Sequence, residues 1–415
     1  MNVIPLDDAT PATSGGKAAT LATLRQAGIT VPDGFVITTD AYRDHAAAPS
    51  TADVRQRAPA LRPPSAELLD EIDAALTDLF GAPDAGHVAV RSSAIGEDTP
   101  SASAAGQHET VLAVRGTRAV ADAVTRCWAS LWNERAIAYR RAHPAPAESP
   151  AMAVLVQRLV DAEVSGVAFT TDPRIVEATP GLGEALVGGR ITPDSWRIER
   201  GRVIDHRPGV LTTRTDRRGD HLVDLPAPPR LGPCLSTADV LAVDAAARRA
   251  QDVLGHPVDL EWALAGGRVR VLQARPITAS PVPTSTRPVI DEPDEPDGPD
   301  EPGDRSTTIL WGAGAAAGRA HGPARIVHGP TDFACVRAGD ILICRTTDPA
   351  WTPLFRIAAG VVTETGGVLS HAAIVARELG IPAVLAVPGV TTTIEDGDTI
   401  SLDGATGRID RQARP

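Results

Sequence analysis

His371 lies in GGVLSHAAIVARELGIPAV, the stretch that runs from residue 366 to residue 384. The two glycines that open this stretch permit a tight turn, and Ser370 is placed to cap a helix that follows. His371 would then lie at a helix N-terminus, where unpaired amide groups and the helix dipole favour an anion. A phosphoryl group carried on an imidazole needs such surroundings. The pattern therefore predicts a phosphorylated histidine, and the alternative is a buried or capping histidine.

Lys17 is the only lysine among the 40 basic residues of the chain, and every other one is arginine. It follows two glycines in GGKAATL and precedes a helical pattern and the segment VPDGFVIT. A compact ammonium after two glycines suits contact with a phosphate group. We therefore expect Lys17 to bind phosphate. The alternative is that one lysine survived by chance near the N-terminus.

The stretch from Ala279 to Thr308 contains eight acidic residues, two arginines and seven prolines, a balance of −6 within a chain of net charge −12. Such a composition cannot bury enough apolar surface to fold, so we expect an extended, flexible linker. The chain then consists of a folded part at 1–278, the linker at 279–308 and a second folded part at 309–415.

Both folded parts mix helical and strand patterns. Before the linker, the helical pattern AELLDEIDAALTDLF accompanies the strand patterns HVAVRSS, AVLVQRLV and RVRVLQARP. After it, the strand patterns DILIC, GVVTE, PAVLAV and DTISLD surround the helix expected at His371. We therefore expect an α/β protein, with a mixed nucleotide-binding domain followed by a compact β/α domain of roughly 100 residues.

Composition also restricts the location and the partners of the chain. The four cysteines are widely spaced and form neither a metal motif nor a disulfide framework, which favours a reducing cytoplasm. We see no export signal and no apolar run long enough to cross a bilayer. The net charge of −12 argues against a general affinity for nucleic acid or an anionic membrane. We expect a cytoplasmic protein without either partner.

Five spaced motifs of the N-terminal part resemble the ATP-binding domain of pyruvate phosphate dikinase, phosphoenolpyruvate synthase and rifampin phosphotransferase, a variant of the ATP-grasp fold. They are GGKAATL with VPDGFVIT; VAVRSSAIGEDTPSASAAGQHET; VLVQRLV with SGVAFTTDP; GLGEALVGGRITPD; and DLEWAL with VLQARPIT. The resemblance implies that this part binds ATP. The chain departs from the family at Ala104 and Ala105, where a phenylalanine usually precedes the AG pair. That departure bears on closure of the loop over the phosphates.

The resemblance assigns roles to eight residues of this part. Three cations correspond to phosphate contacts, two residues to the loop over the triphosphate, one glutamine to the nucleotide hinge, and a glutamate with a second glutamine to the places that hold Mg²⁺ and ATP. Oxygen ligands are the ones that magnesium prefers. Taken singly, each residue could instead be a surface ion pair or a strand residue. In the order of these roles they are Lys17, Arg91 and Arg275; Gly106 and Thr110; Gln157; and Glu261 and Gln273.

The stretch around His371 resembles the phosphohistidine motif of the phosphoenolpyruvate-utilising enzymes. The resemblance implies a small, swivelling phosphohistidine domain in which His371 is the catalytic residue. RTTDPAWTPLF, at 345–355, also matches the family, and we expect Asp348 and Trp351 to position the histidine or the acceptor, with a core position as the alternative for Trp351. Leu369 stands where the dikinases carry a regulatory threonine, and it resembles the rifampin phosphotransferase pattern.

Among these relatives ATP gives its β-phosphate to the histidine, leaving AMP and inorganic phosphate, and the phosphohistidine then serves a second site. The resemblance implies a phosphotransferase of this dikinase type, with ATP as substrate and Mg²⁺ as cofactor. Thirty residues of extended linker would let the histidine domain move between two stations.

The acceptor is left open by the sequence. The dikinase and the synthase have a large barrel after the histidine domain, and the rifampin enzyme has a helical domain before it, whereas this chain ends at Pro415 with neither. We therefore expect an acceptor that is a small molecule or is bound by a separately encoded protein. The alternative is the ATP-binding and phosphohistidine subunit of a split synthase or dikinase. A regulatory module that holds ATP without turnover is a third possibility, and the intact site residues argue against it.

Overall fold

The structure is a computed structural model of the 415-residue chain. The expected linker at 279–308 lies outside the described residues except for Thr307 and Thr308, and so do Gly106 and Leu369. The described residues are 2–46, 61–96, 98–99, 102–103, 109–133, 136–137, 150–227, 232–277, 307–368 and 370–412.

Contacts between Cα atoms divide the chain into two compact units. The first unit comprises Met1–Glu184 and Asp194–Thr278, and it contains the candidate ATP-binding residues. The second comprises Ala185–Pro193 and Ala279–Pro415, and it contains His371. Both units mix helices with sheets, so the expected α/β class is confirmed.

The elements that precede the second unit's main body follow one another along the chain. The first group is β1 (Val3–Pro5), α1 (Pro11–Gln26), β2 (Gly34–Ile37), α2 (Thr39–His45), α3 (Ala66–Phe80), β3 (Val88–Ala94), β4 (Asp98–Thr99), β5 (Ala102–Ser103), β6 (Thr110–Val114), α4 (Thr117–Ser130), β7 (Met152–Arg158), β8 (Val164–Phe169) and β9 (Arg174–Pro180). The second group is α5 (Glu184–Val187), β10 (Asp194–Glu199), β11 (Arg202–Arg207), β12 (Thr213–Arg218), β13 (His221–Pro226), α6 (Thr237–Leu254), β14 (Val258–Ala265) and β15 (Arg268–Pro276).

The first sheet of the first unit has the strand order β1-β2-β7-β3-β6, with antiparallel neighbours throughout. Helix α3 covers it with Leu68, Ile72 and Leu76, which recur every fourth residue and are fully buried. The hydroxyl of Ser65 accepts a hydrogen bond from the amide of Leu68 at 3.2 Å and so caps this helix. The helical pattern expected from the sequence is thereby confirmed.

The second sheet of the first unit has the order β11-β10-β9-β8-β14-β15 and is also antiparallel. Helix α6 packs on it, and α1 contacts β3 and β7 of the first sheet as well as β15 of the second. Helix α1 thus lies where the two sheets of the unit meet. A separate hairpin, β12 with β13, attaches to both sheets through β9 and β6.

One mixed eight-stranded sheet forms the second unit, in the order β16-β23-β22-β18-β19-β20-β21-β17. The neighbours β18, β19, β20 and β21 are parallel, and the other pairs are antiparallel. The elements are β16 (Thr307–Trp311), β17 (Ala313–Ala316), β18 (Arg319–Ile326), β19 (Ile341–Cys344), α7 (Thr352–Phe355), β20 (Gly360–Thr363), α8 (His371–Leu379), β21 (Ala383–Leu385), α9 (Val390–Thr393), β22 (Thr399–Asp403) and β23 (Arg408–Gln412).

Helix α8 begins at His371 and ends at Leu379, with Gly380 in the left-handed conformation just beyond it. Small buried side chains, among them Ala372, Ala373 and Ala376, let this helix pack closely against β17 and β21. The helix predicted after the glycine pair is therefore confirmed at both ends. It places His371 in the first helical turn.

Candidate active site

Arg91 on β3 connects the two sheets of the first unit. Its Nη1 donates to the carbonyl oxygen of Leu272 at 2.8 Å, and its Nη2 lies 3.4 Å from Oε2 of Glu261. The Arg91 side chain is only 14% exposed, so its charge is poorly screened by water. A phosphate group brought near this guanidinium would therefore interact with it strongly.

Leu272 offers its carbonyl because it is the extra residue of a β-bulge. Glu261 pairs with Gln273, whereas the next residue, Trp262, pairs with Val271. Leu272 is thus left outside the β14–β15 ladder. Bulges re-aim the backbone locally, and here one supplies the hydrogen-bond acceptor that orients Arg91.

Two facing pairs of polar residues lie on β14 and β15 beside Arg91. Glu261 is directly opposite Gln273, and Asp259 is directly opposite Arg275. Opposed residues of an antiparallel ladder, and residues two apart on one strand, share a face of the sheet. Arg275 donates from Nε to Oδ2 of Asp259 at 2.7 Å, and Nη2 lies 2.6 Å from the same oxygen. Asp259 therefore fixes the orientation of Arg275.

Lys17 lies on α1, two residues after a break in that helix at Gly15. Its Nζ donates to the carbonyl oxygen of Ser92 at 3.3 Å, which brings the ammonium to the strand that carries Arg91. The structure therefore places Lys17 and Arg91 on neighbouring elements, as a shared phosphate site requires.

Thr110 and Gln157 occupy different positions around this group. Thr110 begins β6, directly opposite Arg91 in the β3–β6 ladder, and is exposed. Gln157 lies on β7, is 2% exposed, and donates from Nε2 to the carbonyl oxygen of Pro32 at 3.3 Å. Gln157 therefore has a structural partner of its own, and its role at the nucleotide hinge stays a prediction. Gly106 lies outside the described residues.

The donor atoms of the site can be compared with what magnesium requires. Within the described residues no three His, Cys, Asp or Glu side chains are clustered so as to hold a metal ion. Glu261 and Gln273 offer carboxylate and amide oxygens from opposed positions on one face. Magnesium is commonly held by one or two protein oxygens and completed by water and phosphate oxygens. The pair therefore fits Mg²⁺ bound together with ATP.

His371, in the second unit, is 8% exposed and has a specific partner at one ring nitrogen. Its Nδ1 lies 3.1 Å from Oγ1 of Thr347, which is itself 3% exposed. The ring of Phe355 meets the imidazole edge to face, with centroids 6.2 Å apart. These contacts orient the ring and make its two nitrogens inequivalent.

The loop before α8 is held by main-chain acceptors and not by a capping side chain. Ser370 occupies the N-cap position, as expected, but its side chain makes no capping hydrogen bond and its hydroxyl is buried without a partner among the described residues. Arg377 donates from Nη1 to the carbonyl oxygens of Val368 at 2.7 Å and Ala315 at 3.0 Å. Ser370 is thus at the N-cap position that the sequence predicted, but the predicted hydrogen bond from its side chain to the helix is wrong.

A second set of contacts in the same unit fixes the two loops that flank His371. The carbonyl oxygen of Gly189 accepts from Oγ1 of Thr346 at 2.9 Å and from Oγ1 of Thr365 at 2.8 Å. Thr346 precedes the partner of His371, and Thr365 precedes the glycine pair. One carbonyl therefore joins both loops.

Sequence reasoning missed three groups of the site. Thr347 lies inside RTTDPAWTPLF, but nothing in that motif alone distinguishes it from its neighbours. Asp259 had a detectable signal, because it lies two residues before Glu261 on the same strand face. Leu272 carried none, since its contribution is a carbonyl exposed by a bulge. Trp351 is a core residue packed edge to face on Phe333, which confirms the core alternative.

Two family models match different parts of the chain. Residues 61–293 match the family model described as pyruvate phosphate dikinase, AMP/ATP-binding domain, and residues 336–407 match the PEP-utilising enzyme, mobile domain. The chain belongs to the pyruvate phosphate dikinase family. The family expected from the motifs is therefore confirmed.

Three relatives of the chain share the name phosphoenolpyruvate synthase. It is 36% identical to the probable phosphoenolpyruvate synthase of Methanothermobacter thermautotrophicus, over 95% of this chain and 61% of that protein. It is 33% identical to the probable phosphoenolpyruvate synthase of Archaeoglobus fulgidus, over 97% of this chain and 57% of that protein. It is 32% identical to the phosphoenolpyruvate synthase of Pyrococcus furiosus, over 95% of this chain and 56% of that protein. The chain therefore spans about three fifths of the length of these relatives.

Proposed function

We propose that the chain catalyses a dikinase-type phosphoryl transfer, in which the β-phosphate of ATP passes to His371 and then to an acceptor. The observation that carries the proposal is the arrangement of Arg91, Glu261 and Gln273 across the two sheets of the first unit, together with a buried, oriented histidine in the second. The family of both domains supports the same reaction.

The charges of the first unit suit the nucleotide half of this reaction. Lys17, Arg91 and Arg275 supply three cations for the triphosphate, and Arg91 and Arg275 are each oriented beforehand by a carboxylate. Pre-oriented cations stabilise developing phosphate charge without reorganising during the reaction. A magnesium ion held by Glu261 and Gln273 would add neutralisation of the phosphate oxygens.

The second unit suits the histidine half. A neutral imidazole is needed for attack, and we assign Nε2 as the nucleophile because Nδ1 is engaged by Thr347. With the Nδ1 proton donated to the threonine hydroxyl, the lone pair resides on Nε2. The new bond joins Nε2 to the β-phosphorus, the bond to the AMP oxygen breaks, and water completes the release of the γ-phosphate as inorganic phosphate.

The acidic, proline-rich stretch at 279–308 supports a mobile histidine domain. Eight acids and seven prolines favour an extended and self-repelling chain, which keeps the tethered domain near each of its stations. We infer that this linker carries His371 between the ATP site and the acceptor.

Pyruvate is the acceptor that the relatives favour. The three relatives described above align with nearly all of this chain and are called phosphoenolpyruvate synthases, and pyruvate is the precursor of phosphoenolpyruvate. The chain covers 61% or less of each of the three relatives described above, so an acceptor site on another polypeptide remains part of the proposal. Another small-molecule acceptor is the alternative.

The test of the donor step uses ATP labelled at the β-phosphate. With magnesium, the chain should yield AMP and an acid-labile phosphoprotein whose label maps to His371. His371→Ala should abolish the label, whereas His321→Ala, on an exposed histidine of the same unit, should keep it. Lys17→Ala should slow labelling by roughly 10²- to 10³-fold, the range for removing one group that stabilises transition-state charge.

Lys17→Arg is the matched control for charge. Arginine is not equivalent to lysine where a compact ammonium fits, so labelling should be only partly restored. Acid-labile phosphate on the His371→Ala protein would contradict the assignment of the nucleophile. If the labelled phosphoenzyme mixed with pyruvate gives no labelled phosphoenolpyruvate, while the label stays on His371, the donor step stands and pyruvate is excluded for the isolated chain.

A further inference from the structure

Helix α1 is broken at Gly15, whose φ of 71° and ψ of 175° are not helical. In an unbroken helix the amide of Ala18 would donate to the carbonyl of Ser14, four residues earlier. The hydroxyl of Ser93 lies between these two groups. It accepts from the amide of Ala18 at 3.2 Å and donates to the carbonyl of Ser14 at 2.6 Å. Ser93 therefore bridges the break, as an inserted side chain does in a kinked helix.

The residues around this bridge are buried from solvent and closely packed. Ser14, Ala18 and Ser93 are each 0% exposed, so bulk water does not replace the two hydrogen bonds. A Cβ atom on Gly15 would overlap the carbonyl of Ser93 and would lie 2.6 Å from its hydroxyl oxygen. The positive φ and this close approach both require glycine at position 15. The break at Gly15 and the hydroxyl of Ser93 thus depend on each other.

Lys17 lies between the break and the amide that Ser93 binds. Its main chain is fixed on one side through Ala18, and its Nζ donates to the carbonyl of Ser92 at 3.3 Å. Ser93 follows Arg91 by two residues on β3, so their side chains share one face of the sheet. Strand β3 therefore carries Arg91 directly and holds the backbone of Lys17 through a hydroxyl.

We propose that Ser93 is a positioning residue for Lys17: its hydroxyl fixes the turn that carries the ammonium relative to Arg91. The inference rests on the proposed contact of Lys17 with the ATP phosphates. A misplacement of about 1 Å can cost roughly 10²-fold in rate. Loss of this hydroxyl therefore lowers the rate of AMP formation from ATP, although Ser93 itself need not contact the nucleotide.

The single lysine of the chain makes the test direct. A brief pulse of an amine-acylating reagent on the full chain marks Lys17 and the N-terminal amine, and peptide mass spectrometry measures both, with the N-terminus as internal standard. In Ser93→Ala, labelling of Lys17 relative to the N-terminus should increase by about 3- to 10-fold. This factor corresponds to the free energy of one net hydrogen bond. The KM for ATP in AMP formation should rise as well.

Ser65→Ala is the matched control, because it removes a capping hydroxyl from α3 in the same unit. It should lower stability while leaving Lys17 labelling unchanged. Ser93→Cys keeps a weak donor and acceptor at the break, so it should give an intermediate effect and covers the case in which Ser93→Ala does not fold. Wild-type labelling of Lys17 in a folded Ser93 variant would overturn the proposal.

Labelling of the wild-type chain with and without ATP and magnesium separates this inference from the proposed function. Protection of Lys17 by ATP supports its contact with phosphate. If ATP gives no protection, that contact is contradicted, while the comparison of Ser93→Ala with the wild-type chain in the absence of nucleotide still decides whether Ser93 positions the lysine.

Discussion

Thr347 contacts Nδ1 of His371, and the proposed attack by Nε2 rests on that contact. Replacing Thr347 with valine keeps the shape and removes the hydroxyl that lies 3.1 Å from Nδ1. The imidazole can then rotate and change tautomer, so we expect phosphorylation of His371 to slow by roughly 10- to 100-fold. Single-turnover labelling with β-labelled ATP measures the rate, and its pH profile should shift because the tautomer preference changes.

Thr363→Val is the control for that experiment. Thr363 is 0% exposed and donates to the carbonyl of Thr365, so its loss also removes one buried hydroxyl from the second unit. It should lower stability without moving the pH profile. An unshifted profile in Thr347→Val, with the rate of the wild type, would show that the threonine does not control the ring.

The sequence singles out a candidate residue where a residue type is rare or its setting is unusual, and the roles assigned to these residues stay predictions. His371 shortly after two glycines and Lys17 as the only lysine both carried such signals. The groups that orient His371 and Arg91 did not, because Thr347 is one of many threonines and Leu272 acts through its backbone. Side-chain chemistry is visible in a sequence, whereas the acceptor that fixes a side chain depends on the register of distant strands.

Helix α8 begins without a capping side chain, which gives an unusual expectation for Ser370. An ordinary N-cap serine contributes about 0.5–2 kcal/mol, and Ser65 of α3 has the required hydrogen bond. The hydroxyl of Ser370 is buried without a partner among the described residues. Ser370→Ala should therefore change the stability of α8 by less than about 0.5 kcal/mol, whereas Ser65→Ala should cost α3 about 1 kcal/mol.

Hydrogen exchange of the amides of each helix measures these two effects separately within one chain. A loss of protection in α8 that equals the loss in α3 would mean that Ser370 caps its helix after all. The sequence predicted the position of the Ser370 cap correctly. It could not predict that the hydroxyl makes no capping bond, because that depends on the rotamer that the packed loop allows.

At the scale of the whole first unit, the β12–β13 hairpin ties the two sheets together through ion pairs. Asp220 near its tip lies 2.8 Å from Nε2 of His87 and 3.0 Å from Nε of Arg115, while Arg217 binds Asp161. The hydrogen bond with His87, together with the charge of Arg115, holds the pKa of Asp220 below its ordinary 3.8. Such a carboxyl stabilises the fold above its ordinary pKa and loses that contribution as the pH falls through the lowered value.

The hairpin should therefore exchange its amides faster as the pH falls below 3.8, the ordinary pKa of the carboxyl, after correction for intrinsic exchange. Asp220→Asn should remove this dependence while leaving that of β16–β23 in the second unit intact. A hairpin that keeps its wild-type pH dependence in Asp220→Asn would exclude Asp220 as the titrating group.

Within the described residues no helix is both long and apolar enough to span a bilayer.

The sequence predicted the architecture well because strong patterns set each element. AELLDEIDAALTDLF became α3, RVRVLQARP became β15, and the four strand patterns after residue 308 became β19, β20, β21 and β22. The order of strands in the sheets could not be predicted in the same way, since it depends on pairing between distant segments. The β12–β13 hairpin, with its alternating charges, gave no core signal and was missed.

The turn between β14 and β15 consists of Gly266 and Gly267, with φ of 59° and 67°. Two consecutive positive φ values are what the tightest hairpin turns require, and such a turn fixes the register of its strands. A one-residue insertion there would rotate the polar face of one strand away from the other, separating Glu261 from Gln273 and Asp259 from Arg275. Members of this family should thus rarely differ in length at these two positions, although glycine has no side chain with which to bind a ligand.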